Sequence, residues 1–94
     1  MFSWDEVKNQ INIRKHGLSF QAAQLVFDDP GHVSRQDRVE GSEQRWQTIG
    51  LVGGVMLVLV AHTWHDDEDG SEHIRIISAR RATKQERKVY EQGA

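Results

Sequence analysis

Apolar positions change period twice along the chain, from helical to alternating and back to helical. In "FSWDEVKNQINIRKHG", Trp4, Val7, Ile11 and the aliphatic stem of Lys15 fall on one helical stripe, with Ser3 or Asp5 near its start and Gly17 as its stop. In "LSFQAAQLVFDDPG", Ser19 can cap a second helix that carries Phe20, Ala23, Val26 and Phe27, and Asp29-Pro30-Gly31 ends it. "HVSRQDRVEGSEQ" is polar and predicts a short or edge strand before a loop at Glu40-Gly41-Ser42. The period then becomes two. In "QRWQTIGLVGGVMLVLVAHTW", two β-rich runs flank Gly53-Gly54, a pair suited to the positive φ angles of a two-residue hairpin turn. Such a turn pairs Val52 with Val55, Arg45 with His62 and Trp46 with Ala61. After the exposed loop "DDEDGSE", a further strand over "HIRIISAR" alternates, with Ile74, Ile76, Ser78 and Arg80 on one face and Arg75, Ile77, Ala79 and Arg81 on the other. Both faces are partly apolar, which places this strand inside a sheet. In "TKQERKVYEQGA", Thr83 and Glu86 form a capping box ahead of a helix whose narrow apolar face is Val89 and Tyr90.

These elements predict one α+β domain over residues 1–94, with two N-terminal helices, a small, mainly antiparallel β-sheet and a C-terminal helix. Helices on one side leave the other sheet face to water, a ligand or a partner. Composition narrows the chemistry. With 37% hydrophobic and 28% charged residues the chain has the balance of a soluble globular protein. It has no cysteine, which removes disulfides, thiolate metal sites and a cysteine nucleophile. The opening "MFSWDEVKNQ" lacks the cationic and apolar regions of a signal peptide, and the longest apolar run, Val55 to Ala61, is too short to span a bilayer. A cytoplasmic protein without membrane contact is expected.

The net charge of −2 argues against nucleic acid only until its distribution is considered. Five of the 14 acidic residues lie in "HDDEDGSEH"; the other 9 face 12 Lys and Arg, a remainder of +3. The basic residues gather in two places: Lys8, Arg14 and Lys15 on the first helix, and Arg75, Arg80, Arg81, Lys84, Arg87 and Lys88 at the last strand and helix, with Arg45 on the hairpin. An arginine fixed on a strand pairs bidentately with phosphate and stabilises the extra charge of a pentacovalent transition state. Solvated lysines and arginines on a helix face more often do nothing specific, which is the plainer account of Lys84, Arg87 and Lys88. Among the histidines, His16 and His62 are candidates to move protons in RNA cleavage, although a histidine at a helix end also commonly caps carbonyls. "HTWHDDED" offers potential metal ligands without a recurring ligand spacing, so a solvated acidic loop is expected and no metal or other cofactor. Trp4, Trp46 and Trp64 could stack bases, but packing is the commoner role.

Taken together, the run from Phe2 to Asp28 with Trp4-Asp5, Lys8, Asn12, Lys15-His16-Gly17, Ser19-Phe20, Ala23 and Val26-Phe27, then Arg45 with Gly50, then "IRIISARRAT" continuing to Glu86-Arg87 and Tyr90, resembles the BrnT family of type II toxins. The resemblance covers nearly the whole chain and is weakest from Pro30 to Glu43. It implies a RelE-like fold and a metal-independent endoribonuclease that cleaves mRNA by 2′-hydroxyl attack and blocks translation. It also implies neutralisation by a BrnA-type antitoxin, a ribbon-helix-helix protein that supplies the DNA-binding part. Carried onto this sequence, the family motif points to Arg45 and Arg80 as transition-state stabilisers, to His16 or Lys15 in proton transfer, and to Lys8, Arg75, Arg81 and Tyr90 as RNA-binding residues. The acidic loop and the net charge of −2 depart from a basic toxin. They keep open a second expectation, a catalytically weak toxin-fold module that holds the antitoxin and co-represses the operon.

Overall fold

The computed structural model describes residues 1–93. A short strand β1 (Phe2–Ser3) precedes helix α1 (Glu6–His16) and helix α2 (Phe20–Ala23), which tightens into a 3₁₀ segment, Gln24–Asp28. Strands β2 (Val33–Glu40), β3 (Glu43–Val52), β4 (Met56–Asp66) and β5 (Glu72–Arg81) follow, and helix α3 (Lys84–Gln92) closes the chain. The sheet order is β1-β5-β4-β3-β2: an antiparallel meander from β2 to β5, with β1 added in parallel on β5. The α+β class, the two early helices and the final helix are as expected. β1 carries no sequence signal, being two residues long.

Local chemistry explains the ends of the elements. Asp5 accepts from the backbone of Val7 and Lys8 to start α1, and Gly17, at φ 68°, stops it in the left-handed conformation. Ser19 caps α2, and the Thr83–Glu86 capping box is present in both directions at α3. The hairpin turn departs from its expected form. Gly53 and Gly54 do take positive φ, yet the ladder closes at Val52–Met56, so Val55 joins the loop and stands exposed. The register moves by one residue: Trp46 pairs with His62, and Gln47 with Ala61.

α1, α2 and the 3₁₀ segment cover one sheet face. There Leu18, Phe20, Ala23 and Val26 pack on Val58, Val60, Ile74, Ile76 and Ala79. On the opposite face α3 covers one end, where Val89 and Tyr90 lie against Ile49, Leu57 and Leu59, so that face is only partly free. Gly50 lets the 3₁₀ segment approach: a Cβ there would stand 2.8 Å from the Val26 carbonyl oxygen and 3.0 Å from its Cβ. Gly50→Ala is expected to destabilise the fold by about 1–3 kcal/mol through overpacking, read as a lowered midpoint in urea.

The stripe assigned to α1 is not the face it buries. Val7 is 69% and Ile11 46% exposed, whereas Asn9 and Asn12 are buried. β1 pairs with β5 only at Ile74 and Arg75, which leaves the edge of β5 open further on. Asn12 occupies that edge. Its Oδ1 accepts from Ala79 N (3.2 Å), and its Nδ2 donates to Ala79 O (2.9 Å) and Leu18 O (2.8 Å), so one amide side chain completes the ladder as a strand would. Asn9 Oδ1 accepts from Phe20 N at the start of α2 (2.8 Å).

Candidate active site on the open sheet face

β5 does not alternate regularly. The pairing with β4 runs from Ala61–Ser78 to His62–Ile76 and skips Ile77, a β-bulge that exchanges the faces on either side of it. Ile74, Ile76 and Ala79 therefore share the helix-covered face, and Arg80 joins Arg75 on the other, contrary to the simple alternation. Arg81 falls on the same side as Ala79, away from Arg80. It is exposed beside Met56, Leu57 and Arg87.

Cross-strand neighbours carry the open face across the sheet. Arg75 pairs with Thr63, Thr63 neighbours Arg45 one step beyond Trp46–His62, and Arg35 on β2 pairs with Gln47. Arg80 pairs with Leu59, which pairs with Ile49 on this same face. Four arginines thus line one face, accompanied by two carboxylates. Glu43 Oε1 accepts from Arg75 at 2.7 Å and lies 3.5 Å from Arg45 Nε. Arg80 holds Glu86 in a bidentate pair at 2.8 and 2.9 Å, with Arg35 4.0 Å from the same carboxylate. Arg35 also donates to Gln47 Oε1 at 2.9 Å.

Two polar atoms on this face are buried without a hydrogen-bond partner among the described residues: Thr63 Oγ1 and Arg45 Nε. Unpartnered buried polar groups are rare in folded proteins and mark places where an incoming group can complete them. The two residues are side by side, with Arg75 beyond Thr63. A depression lined by Ser42, Glu43, Gln44, Thr63, Trp64 and His65 opens next to them.

The Arg80–Glu86 pair is electrostatically locked. Hydrogen bonds from Arg80 outweigh partial burial and hold the Glu86 carboxyl at about 2, while the carboxylate raises Arg80 above its ordinary value. A carboxyl depressed in the folded state stabilises the protein above its unfolded value of 4.5, and that contribution is lost as pH falls towards about 2. With solvent screening considered, Glu86→Gln is expected to lower stability by about 1–2 kcal/mol above pH 5. Denaturation midpoints should show the gap to wild type narrowing between pH 4.5 and 2.

Of the remaining expected residues, those on α1 lie apart from the arginine face, whereas Tyr90 lies at the end of that face that α3 covers. Lys8, Lys15 and His16 are exposed on α1, in the opposite layer. His16 stands one helical turn beyond Asn12, which is bonded to Ala79, so it sits near the exit of β5. Tyr90 serves packing: its hydroxyl donates to Asp29 Oδ2 at 2.7 Å, and Asp29 also accepts from Leu51 N and Gly31 N. Burial pushes the Asp29 carboxyl up, but these three donors hold it low overall, and the same bond raises Tyr90. His62 is fully buried on the helix side. Its Nδ1 donates to Thr63 O and its Nε2 bonds Thr48 Oγ1, and desolvation lowers its pKa, so it is a neutral core residue. Trp46 and Trp64 pack on each other at 5.3 Å, and Trp4 edges onto Phe20.

Strand pairing also gathers side chains that spacing kept apart. His65 pairs with His73 across β4 and β5, their rings stacked at 5.0 Å, and Asp67 turns back against both. The strand register brings these three ligand-type side chains within reach of one another, which the linear spacing of the acidic loop did not indicate. Sequence reasoning also missed Arg35, Thr63 and the carboxylates Glu43 and Glu86. Strand register brings Arg35, Thr63 and Glu43 to the face, and the docking of α3 brings Glu86 to Arg80.

No curated protein matches the chain. Among solved structures it is similar to the Brucella abortus ribonuclease toxin BrnT, a crystal structure at 1.1 Å resolution. The two are 29% identical, the match covers 89% of this chain and 99% of that one, and the TM-score is 0.61. The family model described as "Ribonuclease toxin, BrnT, of type II toxin-antitoxin system" matches residues 4–86, which hold β1's neighbour Trp4, both α1 asparagines, the arginine face and Glu86. The chain therefore belongs to the BrnT family of ribonuclease toxins of type II toxin–antitoxin systems.

Proposed function

We propose that the arginine face is the ribonuclease site and that Arg45, Arg75 and Thr63 form its centre. The observation that carries this reading is the pair of buried polar atoms that make no hydrogen bond, Thr63 Oγ1 and Arg45 Nε, the latter 3.5 Å from the Glu43 carboxylate, set among four arginines on one sheet face. An RNA phosphate entering there gains charge-assisted bonds from Arg45 and Arg75 and a hydroxyl donor from Thr63. As the 2′-hydroxyl attacks the adjacent phosphorus and the 5′-oxygen leaves, negative charge grows on the non-bridging oxygens. Donors already held on strands stabilise that charge without reorganising. Arg80, fixed by Glu86, adds positive field to the same face. His16 and Lys15 lie in the opposite layer, near the β5 exit, so in this reading they do not move protons at this centre and instead add positive charge along the path of the RNA. Lys8 and Arg81 follow the RNA backbone, and the Tyr90 ring supports α3. No step requires a metal ion.

The test is product chemistry. Purified full-length protein should convert RNA into fragments ending in a 2′,3′-cyclic phosphate and a 5′-hydroxyl, and a 2′-deoxy substitution at the cleaved nucleotide should abolish the cut. Fragments with a 3′-hydroxyl and a 5′-phosphate would overturn the mechanism. In cells, expression without antitoxin should halt growth and deplete mRNA.

An antitoxin partner follows from the family, and we infer a ribbon-helix-helix protein of the BrnA type that also provides DNA binding. Its presence in a copurified complex, identified by mass, tests this. A specific observation favours the second reading of a weak enzyme: the arginines already face Glu43 and Glu86, which compete with phosphate. Tight antitoxin binding with no cleavage of several RNAs by antitoxin-free protein would select that reading.

A further inference from the structure

We propose that His65, Asp67 and His73 form a binding site for a divalent transition-metal ion of the zinc class, clamping the β4–β5 loop to β1. One ring nitrogen from each histidine and one Asp67 oxygen lie within 4.8 Å of one another. Asp67 Oδ1 is 3.4 Å from His73 Nδ1 and 3.8 Å from His65 Nε2. Ligand atoms on a tetrahedral ion, with bonds of about 2.0–2.1 Å, stand about 3.3 Å apart. The 3.4 Å contact to His73 matches that separation, and the exposed His65 ring, stacked on His73 at an interplanar angle of 12°, turns about its side-chain bonds to bring Nε2 onto the same ion.

The supporting shell fits a metal ligand set. His73 Nε2 is bonded to Ser3 Oγ at 2.7 Å, which orients the ring and leaves Nδ1 turned towards Asp67. Metal-bound histidines are commonly held in this way through their second nitrogen. Asp67 is fixed by a tight loop in which its N–H donates to Ser71 O at 2.7 Å and its carbonyl accepts from Gly70 N at 2.9 Å, and its Oδ2 faces Ser71 Oγ at 3.4 Å. Two imidazoles with one carboxylate suit zinc and its neighbours, whereas magnesium and calcium prefer oxygen ligands. His65 is exposed, which leaves the outer side of the ion to water. Because Ser3 belongs to β1 and Asp67 to the β4–β5 loop, an ion here would tie that loop to the edge strand.

The experiment is a calorimetric titration of tag-free, full-length protein with ZnCl2, alongside melting temperature with and without zinc. One equivalent should bind with micromolar affinity and raise the melting temperature. Asp67→Asn and His73→Ala should each weaken binding at least tenfold, and His65→Ala, at an exposed position, should do the same without disturbing the fold. His32→Ala, outside the trio, should bind as wild type. Affinity no tighter than millimolar in the wild type, or unchanged affinity in all three ligand variants, overturns the site. Because the readout is binding and not cleavage, the result stands apart from the ribonuclease assignment.

Discussion

Arg45→Ala is expected to lower RNA cleavage by about 10²–10³-fold, the loss typical of removing one fixed donor to a developing oxyanion. The side chain leaves the third residue of β3, and the strand persists because alanine keeps every main-chain bond. Near-wild-type stability should therefore accompany the loss, seen as an unchanged circular dichroism spectrum and a melting temperature within a few degrees. Arg75→Ala should behave alike. Thr63→Val, which removes the unpartnered hydroxyl and keeps the shape, should reduce cleavage more modestly while leaving or improving stability, since a buried group without a partner is destabilising. Arg80→Ala separates positioning from direct contact. It strips Glu86 of its bidentate partner, so stability should fall together with activity. Single-turnover cleavage of a defined RNA, with the same variants scored for relief of growth arrest, measures all four. Arg45→Ala and Arg75→Ala proteins that fold normally and cleave at the wild-type rate would remove the arginine face from catalysis.

The largest expected effect on stability comes from a residue that a hydrophobicity scale would discount. Asn12→Leu should destabilise the protein by about 3–5 kcal/mol although it adds apolar bulk to a buried position. The asparagine satisfies three backbone groups: Ala79 N–H, Ala79 C=O and Leu18 C=O. Leucine leaves all three buried or half-buried without partners, and each such group costs about 1–3 kcal/mol. Small domains have total stabilities of about 5–15 kcal/mol, so the variant should unfold at a much lower urea concentration. Asn12→Asp is the informative companion. It can still accept from Ala79 N but can no longer donate to either carbonyl, and it buries a charge besides, so it too should be strongly destabilised. A urea midpoint for Asn12→Leu at or above the wild-type value would show that the β5 edge does not depend on this side chain.

The same residue explains where a pattern reading of α1 goes astray. Trp4, Val7 and Ile11 form a helical stripe, yet the helix docks through Asn9 and Asn12 because its neighbours present backbone groups that need hydrogen bonds. Hydrophobic periodicity records oil against oil and has no term for an amide completing a strand. At the hairpin, the glycine pair located the turn correctly, but whether the loop holds two residues or three shifts every cross-strand neighbour by one. Arg45 consequently stands beside Thr63 rather than opposite His62. In β5 the bulge at Ile77 does the equivalent to the last four residues.

The sequence by itself determined the α+β class, the caps at Ser19 and Thr83, the glycine turn and the family, because each depends on residues close in the chain or on an ordered motif; at the first helix it left Ser3 and Asp5 open, and the structure chose Asp5. Besides Arg81, which faces the other way, it also singled out three further arginines, Arg45, Arg75 and Arg80. Tertiary structure alone decided that these three share a face with Arg35, that Glu43 and Glu86 hold them, and that Thr63 lies unpaired between two of them. It alone carried His62 into the core, committed Tyr90 to Asp29 and brought His73 to His65 and Asp67. The reason is geometric. Side chains on a strand repeat every two residues, so a single bulge or one extra loop residue reverses their face, and local sequence fixes neither with the certainty that packing against a neighbouring strand supplies.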